Sequence, residues 1–353
     1  MKKDSMKLIL AGLLIGVGAI ALMLAGNPAN MGLCIACFLR DTAGAIKLHT
    51  TDVVQYLRPE IIGLILGSFL LSLGTHEFKA RGGSSPMLRF AMGFMVMIGA
   101  LVFLGCPMRM VLRMAGGDLN AWIGLIGFVL GVVTGVFFLK KGFTLKRSYV
   151  QKPVDGMAMP LIQVLMLVLF LAVPALFMFS EKGPGSMHAP VAISLCVALI
   201  AGALAQRTRI CQAGAIRDLV MFKDPTLLWG SVAVFVAALV MNLAFNKFNP
   251  GMAGQPIAHT EILWNILGLY VVGFGSTLLG GCPMRQLILT GTGNSDSALT
   301  VLGMIVGAAF CHNFGLASSG KGTTPNGRIA CIACIVILFI IGFMNSRNEA
   351  SAK

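Results

Sequence analysis

Apolar stretches of roughly the ~20 residues that cross a bilayer recur from end to end of this chain, with charged residues mostly confined to the breaks between them. That pattern leaves few folds open. Inside hydrocarbon every backbone N–H and C=O must find a partner within the polypeptide, so repeated spans of this kind fold as packed transmembrane helices. The stretches cover residues 8–25, 59–77, 87–105, 119–139, 160–179, 190–206, 226–246, 262–280, 297–317 and 328–345, ten in all. Composition agrees, because 57% of the 353 residues are hydrophobic, only 11% are charged and 43 are glycine, outside the range of an ordinary soluble domain. The expected fold class is an all-α integral membrane protein.

A net charge of +14 would suit nucleic-acid binding, but the basic residues are scattered over short loops rather than gathered in one patch. The positive-inside rule explains them and leaves no nucleic-acid partner to invoke. Of 27 lysines and arginines, sixteen fall on the side of the N-terminus (Lys2, Lys3 and Lys7 to Arg347 and Lys353), six on the other, and five arginines (40, 109, 113, 217 and 285) lie in interior segments. Both termini are therefore expected in the cytoplasm. The first apolar run resembles a signal peptide, but its 8–25 extent exceeds the ~7–15 residues of a cleaved signal core. Nine cysteines, most of them within or beside apolar helices, do not form a secreted disulfide framework.

The chain also repeats itself. Gly105-Cys106-Pro107-Met108-Arg109 recurs as Gly281-Cys282-Pro283-Met284-Arg285, and Cys34 followed by Arg40 and Asp41 recurs as Cys211 followed by Arg217 and Asp218. Two motifs in the same order and at nearly the same offset imply duplication. The expected organisation is a first transmembrane repeat over 1–150, a connecting helix and loop over 151–189, and a second repeat plus a C-terminal helix over 190–353. If the short cysteine-bearing segments are re-entrant, equivalent points are separated by an odd number of crossings. The second half is then inverted, related to the first by a pseudo-two-fold axis in the membrane plane, and the site lies near the midplane where the repeats meet.

Residues 106–118 and 282–296 are too short and polar to span, yet each continues a long apolar helix. Irregular backbone at membrane depth survives only where protein or a water-filled cavity satisfies it, so these segments are expected to line the pathway. Glycine permits the turn, and proline suits the first position of a new half-helix, which leaves Cys106 and Cys282 at its cap. Unpaired N–H groups and the positive dipole end then face the space beside each cysteine, a setting that binds anions. Arg109 and Arg285, in the first turns, either attract an anionic substrate or pair with Asp118 and Asp296.

Free cysteine is also a common buried hydrophobe, the expected role of Cys196, Cys311, Cys331 and Cys334. Cys106, Cys282, Cys34 and Cys211 are set apart by their repetition. Cys37 completes a C-x-x-C with Cys34 but has no counterpart in the second half. Asn27-Pro28-Ala29 resembles a water-channel half-helix motif in a single copy, and the five histidines show no zinc-site spacing. Neither a metal nor a cofactor is expected.

With these motifs in hand, the duplicated GCPMR segments, the cysteine-bearing segment before each and the glycine-rich helices resemble the YeeE/YedE family of bacterial inner-membrane sulfur-transport proteins, over nearly the whole chain. The nearest likeness is to the YedE branch associated with selenium metabolism. The resemblance implies an hourglass of two inverted halves in the inner membrane. It implies uptake of thiosulfate, or of a selenium analogue, handed between cysteines through S–H hydrogen bonds. On that reading Cys106 and Cys282 form the central relay and Cys34 the outer station, with Cys211 a fourth symmetric candidate beyond the family's three. A cytoplasmic sulfur- or selenium-handling protein is then a natural partner.

Three functions compete. The first is a non-enzymatic transporter of a soft anion; no phosphate-binding G-x-x-x-x-G-K-[ST] loop is present in the sequence. The second is a membrane sulfurtransferase or thiol oxidoreductase with a covalently loaded cysteine. The third is an accessory subunit that docks a soluble partner on its basic loops.

Overall fold

The structure, a computed structural model, describes residues 3–346. The helices are α1 (Lys3–Leu24), α2 (Ile35–Ala45), α3 (Pro59–Gly74), α4 (Pro86–Phe103), α5 (Pro107–Ala115), α6 (Leu119–Lys140) and α7 (Pro153–Ala172). They continue as α8 (Val191–Thr208), α9 (Gln212–Phe222), α10 (Thr226–Ala244), α11 (Ile262–Leu278), α12 (Pro283–Gly291), α13 (Ser295–Asn313) and α14 (Pro325–Met344). Two short strands, β1 (Arg81–Gly82) and β2 (Tyr149–Val150), pair antiparallel between loops. Among the described residues nine helical segments are long and apolar enough to cross a membrane, and α3, at 16 residues, is a shorter apolar helix. Every expected span falls on one of these ten. The four remaining helices are short: α2 and α9 have 11 residues, α5 and α12 have 9.

The helix starts follow from local chemistry. Asp118 caps α6 by accepting from Asn120 N at 2.9 Å, and Asn294 caps α13 by accepting from Ser297 N at 3.1 Å. Proline occupies the first turn of α3, α4, α5, α7, α12 and α14, where its missing N–H costs nothing. One boundary differs from expectation. The fifth span begins at Pro153 and stops at Ala172, not 160–179, because Pro174 cannot continue the helix and disfavours helical backbone before it. The apolar residue Phe177 beyond the stop packs edge-on against Phe170 instead.

Packing crosses between the halves. α1 packs on α10 and α8 on α3; α4 packs on α13 and α11 on α6. Each contact is the image of the other when α1 is exchanged for α8, α3 for α10, α4 for α11 and α6 for α13. Small residues bring these helices close: any side chain at Gly127 would strike the Ile266 carbonyl of α11. Helices that correspond through the repeat run antiparallel where they touch. Gly26 lies against His188 and Gly18 against Val197 (α1 and α8), while Gly268 meets Phe103 and Gly275 meets Val96 (α11 and α4). α7 stands outside the exchange and packs on α3, α12 and α13.

Loop contacts sort the molecule into two faces. Lys79 N bonds Thr292 O, and Thr144 N bonds Asn345 O, on the face where α1 begins and α14 ends. Gln55 N bonds Ser180 Oγ, and Asn249 N bonds Gly116 O, on the far face. Of the residues used in the charge count, Lys2, Arg347 and Lys353 lie outside the described residues.

Candidate functional site

The half-helices meet in pairs through their N-terminal ends. Cys34 holds extended backbone (φ −108°, ψ 102°) before α2, and its Sγ accepts from Cys37 N at 3.4 Å. Cys106 also holds extended backbone before α5 (φ −85°, ψ 172°), without a side-chain cap hydrogen bond. Its sulfur lies beside the Cys34 thiol and the starts of α2 and α5. In the second half Cys211 Sγ, before α9, accepts from Gly214 N at 3.3 Å and from Cys282 N at 3.4 Å. The Cys282 sulfur lies beside the Cys211 thiol and the starts of α9 and α12. The four repeated cysteines are therefore gathered as two pairs, Cys34 with Cys106 and Cys211 with Cys282. Each pair lies between two helix starts, whose N–H groups and dipoles favour negative charge.

The break that creates each second half-helix has the same geometry in both halves. Leu104 (φ 64°) and Gly280 (φ 82°), equivalent through the repeat, are both left-handed. Leucine rarely adopts that conformation, and such strain persists only where the surroundings enforce it. Gly105 and Gly281 follow, and at each an added Cβ would crowd the Cγ of the motif arginine, at 3.3 Å from Arg109 and 2.8 Å from Arg285.

The arginines separate the halves. Arg109 is fully buried, and all its donors are engaged: Nε with Asn30 O, Nη1 with Leu104 O and with Cys37 Sγ (3.7 Å), Nη2 with Pro256 O and Ile257 O. The alternative pairing with aspartate does not occur. Asp118 is taken by Arg113 at 2.6 Å, and Asp296 accepts from the backbone of Gly83 and Ser84 and lies 3.6 Å from Arg89. Arg285 has neither the carbonyl cage of Arg109 nor a carboxylate; its Nη1 is buried without a hydrogen-bond partner. The Arg-Asp pair after the first cysteine differs as well. Asp41 is fully buried between Arg40 and Arg58, at 2.7 Å from each, and Arg58 also binds the carbonyls of Pro184 and Met187. Arg217 and Asp218 pair at 2.8 Å but remain partly exposed. On the far face, burial lowers the pKa of His49 and His259, so both rings stay neutral and bond the Arg40 and Val102 carbonyls.

A cavity of about 710 Å³ opens beside Cys211, lined by Lys7, Arg207, Arg209, Arg217 and Arg285 with the acids Glu77 and Asp218. A second of about 400 Å³ adjoins it, sharing Arg209 and Arg285 and adding Lys79 and Arg81. On the far face a mainly apolar cavity of about 510 Å³ reaches Arg40 and Leu104 but none of the four repeated cysteines. Arg207 and Arg209, which the positive-inside count places only by face, approach the site, and the alternation Arg207-Thr208-Arg209-Ile210-Cys211 is the sequence signal for it. Cys37, without a counterpart in the repeat, lies against Arg109. Cys311, Cys331 and Cys334 are buried as expected, whereas Cys196 is exposed on the outer surface.

Fold and site together define a multi-pass membrane protein whose interior presents two pairs of thiols at four helix starts. The family model described as sulphur transport matches residues 207–326, which include Cys211, Cys282 and Arg285. A curated relative, the thiosulfate transporter TsuA of Spirochaeta thermophila, is 33% identical over 114 residues, covering 32% of this chain and 34% of the relative. The family matched here is the one that the duplicated GCPMR segments resemble. The family match lies in the second half of the chain, and the chain spans about a third of the length of the curated relative it matches.

Proposed function

We propose that the protein carries a small sulfur-containing anion of the thiosulfate kind, or its selenium analogue, between two inverted halves, inward across a bacterial inner membrane. The observation that carries this reading is the meeting of four helix starts at two thiol pairs, beside a basic cavity. Antiparallel packing of repeat-related helices supports the inversion, and the basic bias of the N-terminal face supports cytoplasmic termini. A neutral S–H donates a weak hydrogen bond and lets a soft anion go unchanged. On this reading the anion passes Cys34 and Cys106 from the far face, then Cys282 and Cys211, while backbone N–H groups and the charge of Arg109 replace its water. The whole acts as a non-enzymatic carrier.

Each thiol also touches a second thiol, which favours a competing sulfurtransferase or oxidoreductase. Purified protein in sealed vesicles, supplied with ³⁵S-thiosulfate, separates the two readings. Transport predicts label accumulating inside as intact thiosulfate, with Cys106 and Cys282 of unchanged mass. No accumulation, with a persulfide on either residue, would establish the enzyme instead.

A further inference from the structure

Arg109 and Arg285 are copies of one motif residue in different surroundings. Five carbonyl and sulfur acceptors surround the first. The second lines both basic cavities, and its Nη1 is buried with no hydrogen-bond partner. Nearby carboxylates are already engaged, Asp218 by Arg217 at 2.8 Å and Glu77 by Arg207 at 3.4 Å. A guanidinium N–H that has lost water and found no acceptor is unfavourable until an acceptor arrives. That acceptor must be anionic, because Arg209, Arg217 and the starts of α9 and α12 make the surroundings positive. Arginines in a shared cavity suit an oxyanion, whose oxygens match their forked donors.

We propose that this basin is a discrete site for a small divalent tetrahedral oxyanion, held by Arg285 and Arg209 beside Cys211 and filled from the N-terminal face. Binding stands independently of the transport reading; the site's role as the exit station rests on it. Because the basin is open to that face, a free oxyanion there competes with the departing one. Sulfate on the N-terminal face thus slows uptake from the far face.

The test uses the full-length protein in nanodiscs of zwitterionic lipid, titrated with sodium thiosulfate and sodium sulfate against chloride at constant ionic strength. Wild type and Lys182→Gln, a far-face control, are expected to bind both oxyanions and to gain thermal stability. Arg285→Gln and Arg209→Gln are expected to weaken binding tenfold or more; Arg209 is exposed, so its variant tests the site even if Arg285→Gln misfolds. In sealed vesicles, sulfate on the N-terminal face should lower the initial uptake rate of wild type and leave that of Arg209→Gln unchanged. Equal affinities across the four proteins, or none above chloride, would overturn the site. Displacement of sulfate by added phosphatidylglycerol would assign the basin to a lipid headgroup and overturn it too. Oxyanion binding without sulfur transport would leave this site standing and remove the transport reading, whereas transport without binding would remove this site alone.

Discussion

The two halves carry the same motifs but hold them in different states. In the first, the charges nearest the cysteines are buried and paired, Asp41 between Arg40 and Arg58, Arg113 on Asp118 and Arg109 in its cage of acceptors, with Arg113 Nη2 left without a hydrogen-bond partner among the described residues. Loops from the far face provide part of this closure, since Pro184, Met187, Pro256 and Ile257 supply the carbonyls. In the second, Arg217 and Asp218 are partly exposed, Arg285 Nη1 has no hydrogen-bond partner among the described residues, and the basic cavity reaches Cys211. On the proposed reading the two copies of the motif make two related sites, and their unequal packing closes one while the other is open. If the proposed carrier alternates, that inequality reverses, and the loop carbonyls on Arg58 and Arg109 are the contacts that would break.

The largest stability effect should come from the closed half. Asp41→Asn leaves two buried guanidinium groups without their anion and is expected to cost about 3–5 kcal/mol. The equivalent Asp218→Asn, at a partly exposed pair, is expected to cost less than about 1 kcal/mol. Denaturant unfolding of both variants in detergent measures the contrast, and equal losses would erase the distinction between the halves. A smaller effect separates the two helix breaks. Gly280→Ala meets no neighbour within 4 Å, so its whole cost is a left-handed alanine, about 1–2 kcal/mol. A neutral result there would show that the backbone at 280 relaxes where Leu104 cannot.

The ten apolar helices were legible because hydropathy reports burial in lipid directly, and the half-helices α5 and α12 because proline marks their start. The fifth span was misplaced by its ends: hydropathy followed the apolar run through Phe177, while Pro174 had already stopped the helix. The four cysteines could be chosen from the repeat, but their pairing could not, since it depends on two helix starts distant in sequence meeting in space. For the same reason the sequence did not distinguish Arg109 from Arg285. Their motifs are identical, and the difference comes from the 256–257 loop carbonyls that reach one and not the other. Cys37 was passed over because it has no repeat partner, yet it sits against Arg109 at 3.7 Å.

The most direct test of the central claim compares uptake of ³⁵S-thiosulfate into vesicles by wild type, Cys106→Ala, Cys282→Ala, the two Cys→Ser variants and Cys331→Ala at matched protein levels. A relay of neutral thiols predicts no uptake with either alanine, partial uptake with either serine, which keeps an O–H donor, and wild-type uptake with Cys331→Ala. Undiminished uptake by Cys106→Ala and Cys282→Ala, or an equal loss in all three alanine variants, would contradict it.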